Sequence, residues 1–254
     1  MDYIIETKDL MKRYGKFQAV NGVSLEVPAG SIYGFVGPNG AGKTTTIRML
    51  TGLARQTSGT IRVFGMEMPG EAENVRRQVG IVPDDTLLFD HLTGSEFLEF
   101  VGRMYGLERP RAKERARELL TLFELEPADR KLIGEYSKGM RKRVAMCGAL
   151  IHRPRLFLMD EPFEGVDVVG ARLMKDILSD QVRRGATVFL TSHVLEVVER
   201  LCDRVAIINK GRIAGQGTIT ELRAQAQEGT TTLEDIFVNL VGAEKGGREK
   251  LDWL

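Results

Sequence analysis

Along the chain, short runs of apolar, β-branched residues alternate with longer stretches whose apolar positions recur at helical spacing. The short runs at 31–36, 60–64, 79–82, 156–159, 187–191 and 204–209 predict strands. Several are apolar almost throughout, which is the pattern of strands buried on both faces. Helical periodicity predicts helices over 43–53, 71–78, 170–184 and 195–201. The alternation predicts an α/β fold with a mostly parallel central sheet covered by helices. Two segments break it. The stretch up to about Pro28, with Ile4-Ile5-Glu6 and 24–27, predicts short strands joined by a Gly-rich turn, a small β unit ahead of the main sheet. Residues 93 to about 151 are helical in pattern nearly throughout, a helical insertion between sheet strands. Gly94-Ser95-Glu96 opens one helix, 111–123 forms a charged amphipathic one, and Ser137 opens another. Residues 243–254 are charged and Gly-rich and are expected to fray, with Trp253 loosely held.

Composition narrows the function classes. The 254 residues are 43% hydrophobic and 28% charged, enough apolar surface for a full core and incompatible with wholesale disorder. Thirty-six basic against 35 acidic residues leave a net charge of +1, so no global field points to nucleic acid or an anionic membrane. Two cysteines, Cys147 and Cys202, are too few for a disulfide framework and fit a reducing compartment. The opening residues are charged too early for a signal peptide, and no apolar run approaches the roughly 18 residues of a spanning helix.

The strongest chemical signal is Gly37-Pro38-Asn39-Gly40-Ala41-Gly42-Lys43-Thr44, followed by Thr45. It lies between a predicted strand and a predicted helix. Its glycines let backbone N–H groups curl around an anion, and the helix adds its positive end at the same place. Lys43 can reach the β- and γ-phosphates of a nucleotide, and Thr44 offers a hydroxyl to Mg²⁺. The alternative is a chance Gly-rich turn; strand, pattern and helix in register argue against it. Leu156-Phe157-Leu158-Met159 ends in Asp160-Glu161. Beside a phosphate loop, Asp160 is placed to hold Mg²⁺ and Glu161 to polarise an attacking water; without that loop the segment reads as a strand ending in an acidic turn. Ser137-Lys138-Gly139-Met140, trailed by Arg141, Lys142 and Arg143, is a second helix start with basic residues where acidic ones are preferred. Either it is a solvated basic face, or it reads a nucleotide held by another chain.

These motifs, in this order, resemble the nucleotide-binding subunit of ABC transporters over residues 1–242. Residues 37–44 match its Walker A motif and 156–161 its Walker B. Ser137-Lys138-Gly139-Met140 stands at the place of the family signature. Gly165-Val166-Asp167 resembles the D-loop, and Thr191-Ser192-His193 the switch-histidine loop. Tyr14 matches the aromatic that stacks on adenine. The form Tyr136-Ser137-Lys138-Gly139-Met140 and the ending 232–237 look most like the multidrug and antibiotic exporter branch, of ABC-2 type.

The resemblance implies a P-loop NTPase fold with an N-terminal antiparallel β subdomain and an inserted helical subdomain at about 93–153. It implies Mg²⁺ and ATP as cofactors. Two copies, or this chain and a homologous ATPase subunit, would sandwich two ATP head to tail. Each nucleotide would lie on one chain's Walker A and under the other's signature, which supplies the second anion site with an occupant. His193 would sense the γ-phosphate, and Asp167, in the D-loop, would be one of the nucleotide-binding residues. A separate transmembrane permease would hold the chain at the inner face of the cell membrane, cytoplasmic and peripheral, with no nucleic-acid partner. A soluble non-transport ATPase of this type acting on nucleic acid or ribosomes, and a low-turnover regulatory module, are the rival classes. Balanced charge, one set of nucleotide motifs and no long coiled coil weigh against the first.

The chain departs from the family pattern at one place. After Ile81-Val82-Pro83 the family's usual Gln is Asp84. Leu88, Phe89, Leu92 and Thr93 keep the register. Asp84 can approach Mg²⁺ but is shorter than Gln and adds negative charge near Asp160 and Glu161, which predicts a slower chemical step. His91 and His152 have no such setting and are expected at the surface.

Overall fold

The computed structural model describes residues 2–84, 88–225 and 232–242. The chain opens with a long antiparallel pair, β1 (Tyr3–Tyr14) and β2 (Phe17–Pro28). These strands are far longer than the short runs their patterns predicted. Several register shifts between Tyr3 and Arg13 interrupt the apolar alternation, so period 2 is legible only in pieces. Next come β3 (Ile32–Val36), α1 (Lys43–Leu50), β4 (Ser58–Val63), β5 (Met66–Glu67), α2 (Ala72–Arg76) and β6 (Val79–Val82). The helical insertion contributes α3 (Gly94–Met104), α4 (Arg109–Leu122) and α5 (Lys138–Leu150). The chain then returns as β7 (Leu156–Met159), α6 (Val168–Arg183), β8 (Thr187–Ser192), α7 (Leu195–Leu201), β9 (Arg204–Asn209), β10 (Arg212–Gly217), α8 (Ile219–Gln225) and α9 (Leu233–Gly242). The expected tail, 243–254 with Trp253, lies outside the described residues.

Two sheets form. One is antiparallel, in the order β2-β1-β4-β5. The other runs β10-β9-β3-β8-β7-β6 and is parallel from β9 to β6, with β10 antiparallel at its edge. The central strands are buried on both faces, and their residues divide by parity as a pleated strand requires. Phe157 and Met159 join a core shared with α3, α4, α5 and α6, while Leu156 and Leu158 join one shared with the antiparallel sheet, α1 and α2. Helices therefore cover one face, and the antiparallel sheet covers much of the other. That differs from a sheet covered by helices alone.

Helix starts follow capping chemistry. Thr93 and Glu96 form a reciprocal capping box at α3. Asp167 caps α6 by accepting from the Gly170 N–H at 2.8 Å. Thr232 and Asp235 exchange hydrogen bonds at the start of α9. His152 is not a surface residue. Its ring stacks on Tyr105 with centroids 3.6 Å apart, and Nε2 lies 3.2 Å from the Val79 carbonyl. Burial pulls its pKa down to about 4. His91 is exposed, as expected.

Candidate active site

The site lies along one edge of the parallel sheet, where four strands end side by side. β3 runs into the phosphate loop, β8 into His193, β7 into Asp160 and Glu161, and β6 into Asp84. The carboxyl edge of parallel strands is where α/β folds gather ligands, because the loops leaving it converge there while helices close the faces.

The phosphate loop is shaped by steric necessity. Gly42 has φ of 111°, and a Cβ there would stand 2.5 Å from the Ala19 carbonyl oxygen. A Cβ on Gly37 would stand 2.3 Å from that of Ile208. Lys43, buried, turns back over the loop and donates to the Gly37 carbonyl at 2.8 Å. Its ammonium also lies 3.5 Å from Glu161. Thr44 is exposed on the first turn of α1.

Across the edge, Thr191 organises both acids. Its hydroxyl donates to Asp160 at 2.5 Å and accepts the Glu161 N–H at 3.0 Å. Glu161 is a non-glycine residue at φ of 47°, a strained conformation that its N–H bond to Thr191 and its buried position hold in place. Its second oxygen takes the His193 backbone N–H at 3.2 Å and lies 3.0 Å from Nδ1. Glu161 thus bridges the lysine of the phosphate loop and the histidine of the β8 edge. The sequence pointed to Lys43, Asp160, Glu161 and His193 one by one, and the fold brings all four together.

A cavity of about 210 Å³ opens over this edge. Phe17, Ala19, Asn39 to Thr45, Asp84, Asp160 and Glu161 line it. Phe17, on the partner strand directly opposite Tyr14, is the aromatic at the cavity wall. Tyr14 stands at the same hairpin under the Lys12 ammonium, 4.7 Å from its ring centroid. Sequence reasoning named Tyr14 and missed Phe17; the two-residue turn between them was the available signal.

The signature segment stands apart. Ser137 caps α5, accepting the Met140 N–H at 3.2 Å. Lys138 pairs with Glu164 at 2.7 Å and holds that carboxyl below its ordinary range. Gly139 packs so closely on the D-loop that a Cβ would stand 2.9 Å from the Gly165 oxygen. Asp167, also held below its ordinary value by the Gly170 N–H, lies beyond that contact. None of Ser137, Lys138, Gly139 or Met140 lines the cavity of its own chain.

Lys142, one turn further on, was passed over in the sequence as part of a basic run. It is fully buried. Burial lowers its pKa, against the opposing pull of Asp84, Glu164 and Asp160. Its ammonium lies 3.7 Å from the Asp84 carboxylate.

The residues present suit magnesium. Among the described residues no three His, Cys, Asp or Glu side chains gather to hold a metal unaided. The buried Asp160 carboxylate and the open Thr44 hydroxyl face a cavity whose remaining ligands would be phosphate and water, the usual habit of Mg²⁺.

Comparison with known proteins agrees with this geometry. Residues 20–164 match the ABC transporter family. The daunorubicin/doxorubicin resistance ATP-binding protein DrrA of Streptomyces peucetius is 42% identical over 220 residues, covering 87% of this chain and 67% of that one. The linearmycin resistance ATP-binding protein LnrL of Bacillus subtilis is 39% identical, over 86% of this chain and 70% of its own. The bacitracin transport ATP-binding protein BcrA of Enterococcus faecalis is 35% identical, over 91% and 74%. A solved ATP-binding subunit of an ABC transporter superposes with a TM-score of 0.87 at 32% identity, over 93% of this chain and 99% of that one. A dimeric ATP-binding cassette in a post-hydrolysis state with ADP and Pi shares the fold, with a TM-score of 0.79 at 23% identity over 85% and 98%. The chain belongs to the ABC transporter family, as an ATPase subunit on the side of its drug and antibiotic resistance members.

Proposed function

We propose that residues 1–242 form one nucleotide-binding domain that closes head to tail on a second copy, or on a homologous ATPase subunit. Two ATP lie between the chains, and a separate membrane permease uses the closing and reopening to export a substrate. The observation that carries this reading is the division of anion-binding parts. Lys43, Asp160 and Glu161 line one cavity, with His193 held to Glu161 beside it, while the capped basic start of α5 lies outside that cavity. A helix end with such chemistry fits a phosphate brought by another chain. Val168 and Val169, exposed and apolar beside Asp167, suit the same contact. The exporter branch follows the drug-resistance relatives.

In this reading Lys43 exchanges its loop carbonyl and Glu161 for the β- and γ-phosphates. Its departure leaves Glu161 free to take a proton from the attacking water. His193 is positioned through Glu161 and follows the γ-phosphate. Thr44, Asp160 and Asp84 are the residues that would hold Mg²⁺, whose chemistry is charge neutralisation at the phosphates. Among the described residues no helix is long and apolar enough to cross a membrane. In this proposal the permease is a different polypeptide, and the chain works at the inner face of the membrane through it. Phe89 and Phe100, exposed and edge to face at 5.3 Å, with Met104 close by, offer an apolar patch for that contact beside the loop carrying Asp84.

Mixed dimers test the pairing. Ser137→Arg blocks the helix end, and Lys43→Ala removes the main phosphate countercharge; each alone should abolish turnover. In a head-to-tail pair of one variant with the other, one site carries both lesions and the other neither, so activity should return. Confirmed heterodimers no more active than either parent would refute the arrangement.

A further inference from the structure

We propose that Lys142 is a positioning residue that stitches the ends of β6 and β7 together and so ties the signature helix to the catalytic edge. The inference rests on the reading that hydrolysis occurs at that edge. Lys142 is the only charged side chain with no exposure among the described residues. Its ammonium meets main-chain carbonyls: Asp84 at 2.8 Å, Pro83 at 3.1 Å and Asp160 at 3.4 Å. All belong to the ends of two neighbouring strands.

The position is informative. The β6–β7 ladder ends at the pair Val82–Met159, and the Asp160 N–H to the Val82 carbonyl, 2.8 Å, is the last bond between the two strands. Beyond it they diverge, one toward Asp84 and the other toward Asp160 and Glu161. Lys142 supplies the next connection from the side. A buried lysine that only filled space would cost stability, since a charge out of water needs partners. Here every partner is a strand end that carries a candidate magnesium or catalytic residue.

Two consequences follow. The carboxylate of Asp84, 48% exposed, is drawn toward Lys142, so the negative charge this chain adds there is offset within the protein. And α5 carries Ser137 at its cap and Lys142 one turn later. A displacement of that helix at its outer end is therefore passed to the two strand ends without an intervening loop.

The test uses the full chain with Lys142→Met and Lys142→Gln. Turnover, affinity for a non-hydrolysable ATP analogue, and amide exchange of the nucleotide-free protein are measured. For Lys142→Met, turnover should fall about 10–100-fold through misplacement of the catalytic edge, while analogue affinity stays within about 3-fold. Exchange at Asp160 and Glu161, whose N–H groups bond to the Val82 carbonyl and the Thr191 hydroxyl, should quicken about 10-fold with the rest of the sheet unchanged. Lys142→Gln, which keeps two donors on a side chain too short to reach all three carbonyls, should recover only part of both. Wild-type turnover in Lys142→Met, or exchange quickened evenly along the chain, would overturn the proposal. Should the Met variant not fold, Lys142→Gln decides alone: faster exchange confined to those two amides supports the stitch, and none overturns it. Glu161→Gln is the control for the site itself. If it keeps turnover, the site reading fails, while the exchange result still reports on Lys142.

Discussion

Thr191 shows how little it takes to arrange two acids for different work. One hydroxyl donates to Asp160 and accepts from the backbone of Glu161, which fixes the distance between them and leaves both Glu161 oxygens for Lys43 and His193. Because Glu161 is held by geometry rather than by its charge alone, Glu161→Gln should fold normally and bind ATP, yet lose turnover about 10²–10⁴-fold, the usual worth of a general base. A rate assay beside calorimetry checks both halves; wild-type turnover would remove Glu161 from the mechanism. His152 makes a different prediction. Its folded pKa of about 4 lies below the ordinary 6.5, so the unfolded chain takes the proton first. The contribution is full above pH 6.5 and is lost as pH falls toward 4. Urea melts of wild type and His152→Phe should show the variant's deficit shrinking by about 2 kcal/mol between pH 7.5 and pH 5. A constant difference would mean that the imidazole titrates normally. Neither the Thr191 arrangement nor the burial of His152 is legible locally. Each depends on a partner far along the chain, Asp160 for one and Val79 for the other.

At the scale of elements, legibility followed periodicity. The parallel strands are apolar on both faces and bounded by glycine or charge, so 79–82, 156–159 and 204–209 matched to the residue. The start of α5 followed from Ser137 as a cap, and α7 from its own pattern. β10 was not foreseen, because its sequence, Arg-Ile-Ala-Gly-Gln-Gly, carries too few β-formers; it exists because the exposed edge of β9 offers it a ladder. Why α5 can lie close enough to stitch two strands is also an element-scale matter. It approaches β6 over Gly80, where a Cβ would stand 2.5 Å from the Ala149 carbonyl oxygen and 2.9 Å from Pro154. Backbone cannot give way as a flexible side chain can. Gly80→Ala should therefore push the helix off the sheet and cost about 1–3 kcal/mol. Denaturant titration measures this, and unchanged stability would show that the helix has room to retreat.

For the whole molecule, the motif order along the chain did not disclose which strands are neighbours. Sheet order decides that, and it places β8 between β3 and β7. Consequently Lys43 and Glu161 meet only because Thr187–Ser192 separates and aligns their strands. In the dimeric reading, Glu161→Gln should also accumulate as an ATP-held pair. Size-exclusion chromatography with light scattering in Mg²⁺ and ATP should find the dimer in that variant and monomer in Lys43→Ala; monomer in both would speak against ATP-driven closure.

That strand order also sets a timetable. During synthesis the phosphate loop leaves the ribosome early and Asp160 and Glu161 well after it, yet neither sheet half can dock on the other until residue 192 has emerged to fill the gap. A nascent chain is therefore without a working nucleotide pocket until β8, ending at residue 192, has been made. It cannot spend ATP, or clamp on a partner, while most of it is still being translated. Ribosome-stalled chains should acquire nucleotide protection in one step, when β8 clears the exit tunnel, and not gradually with length.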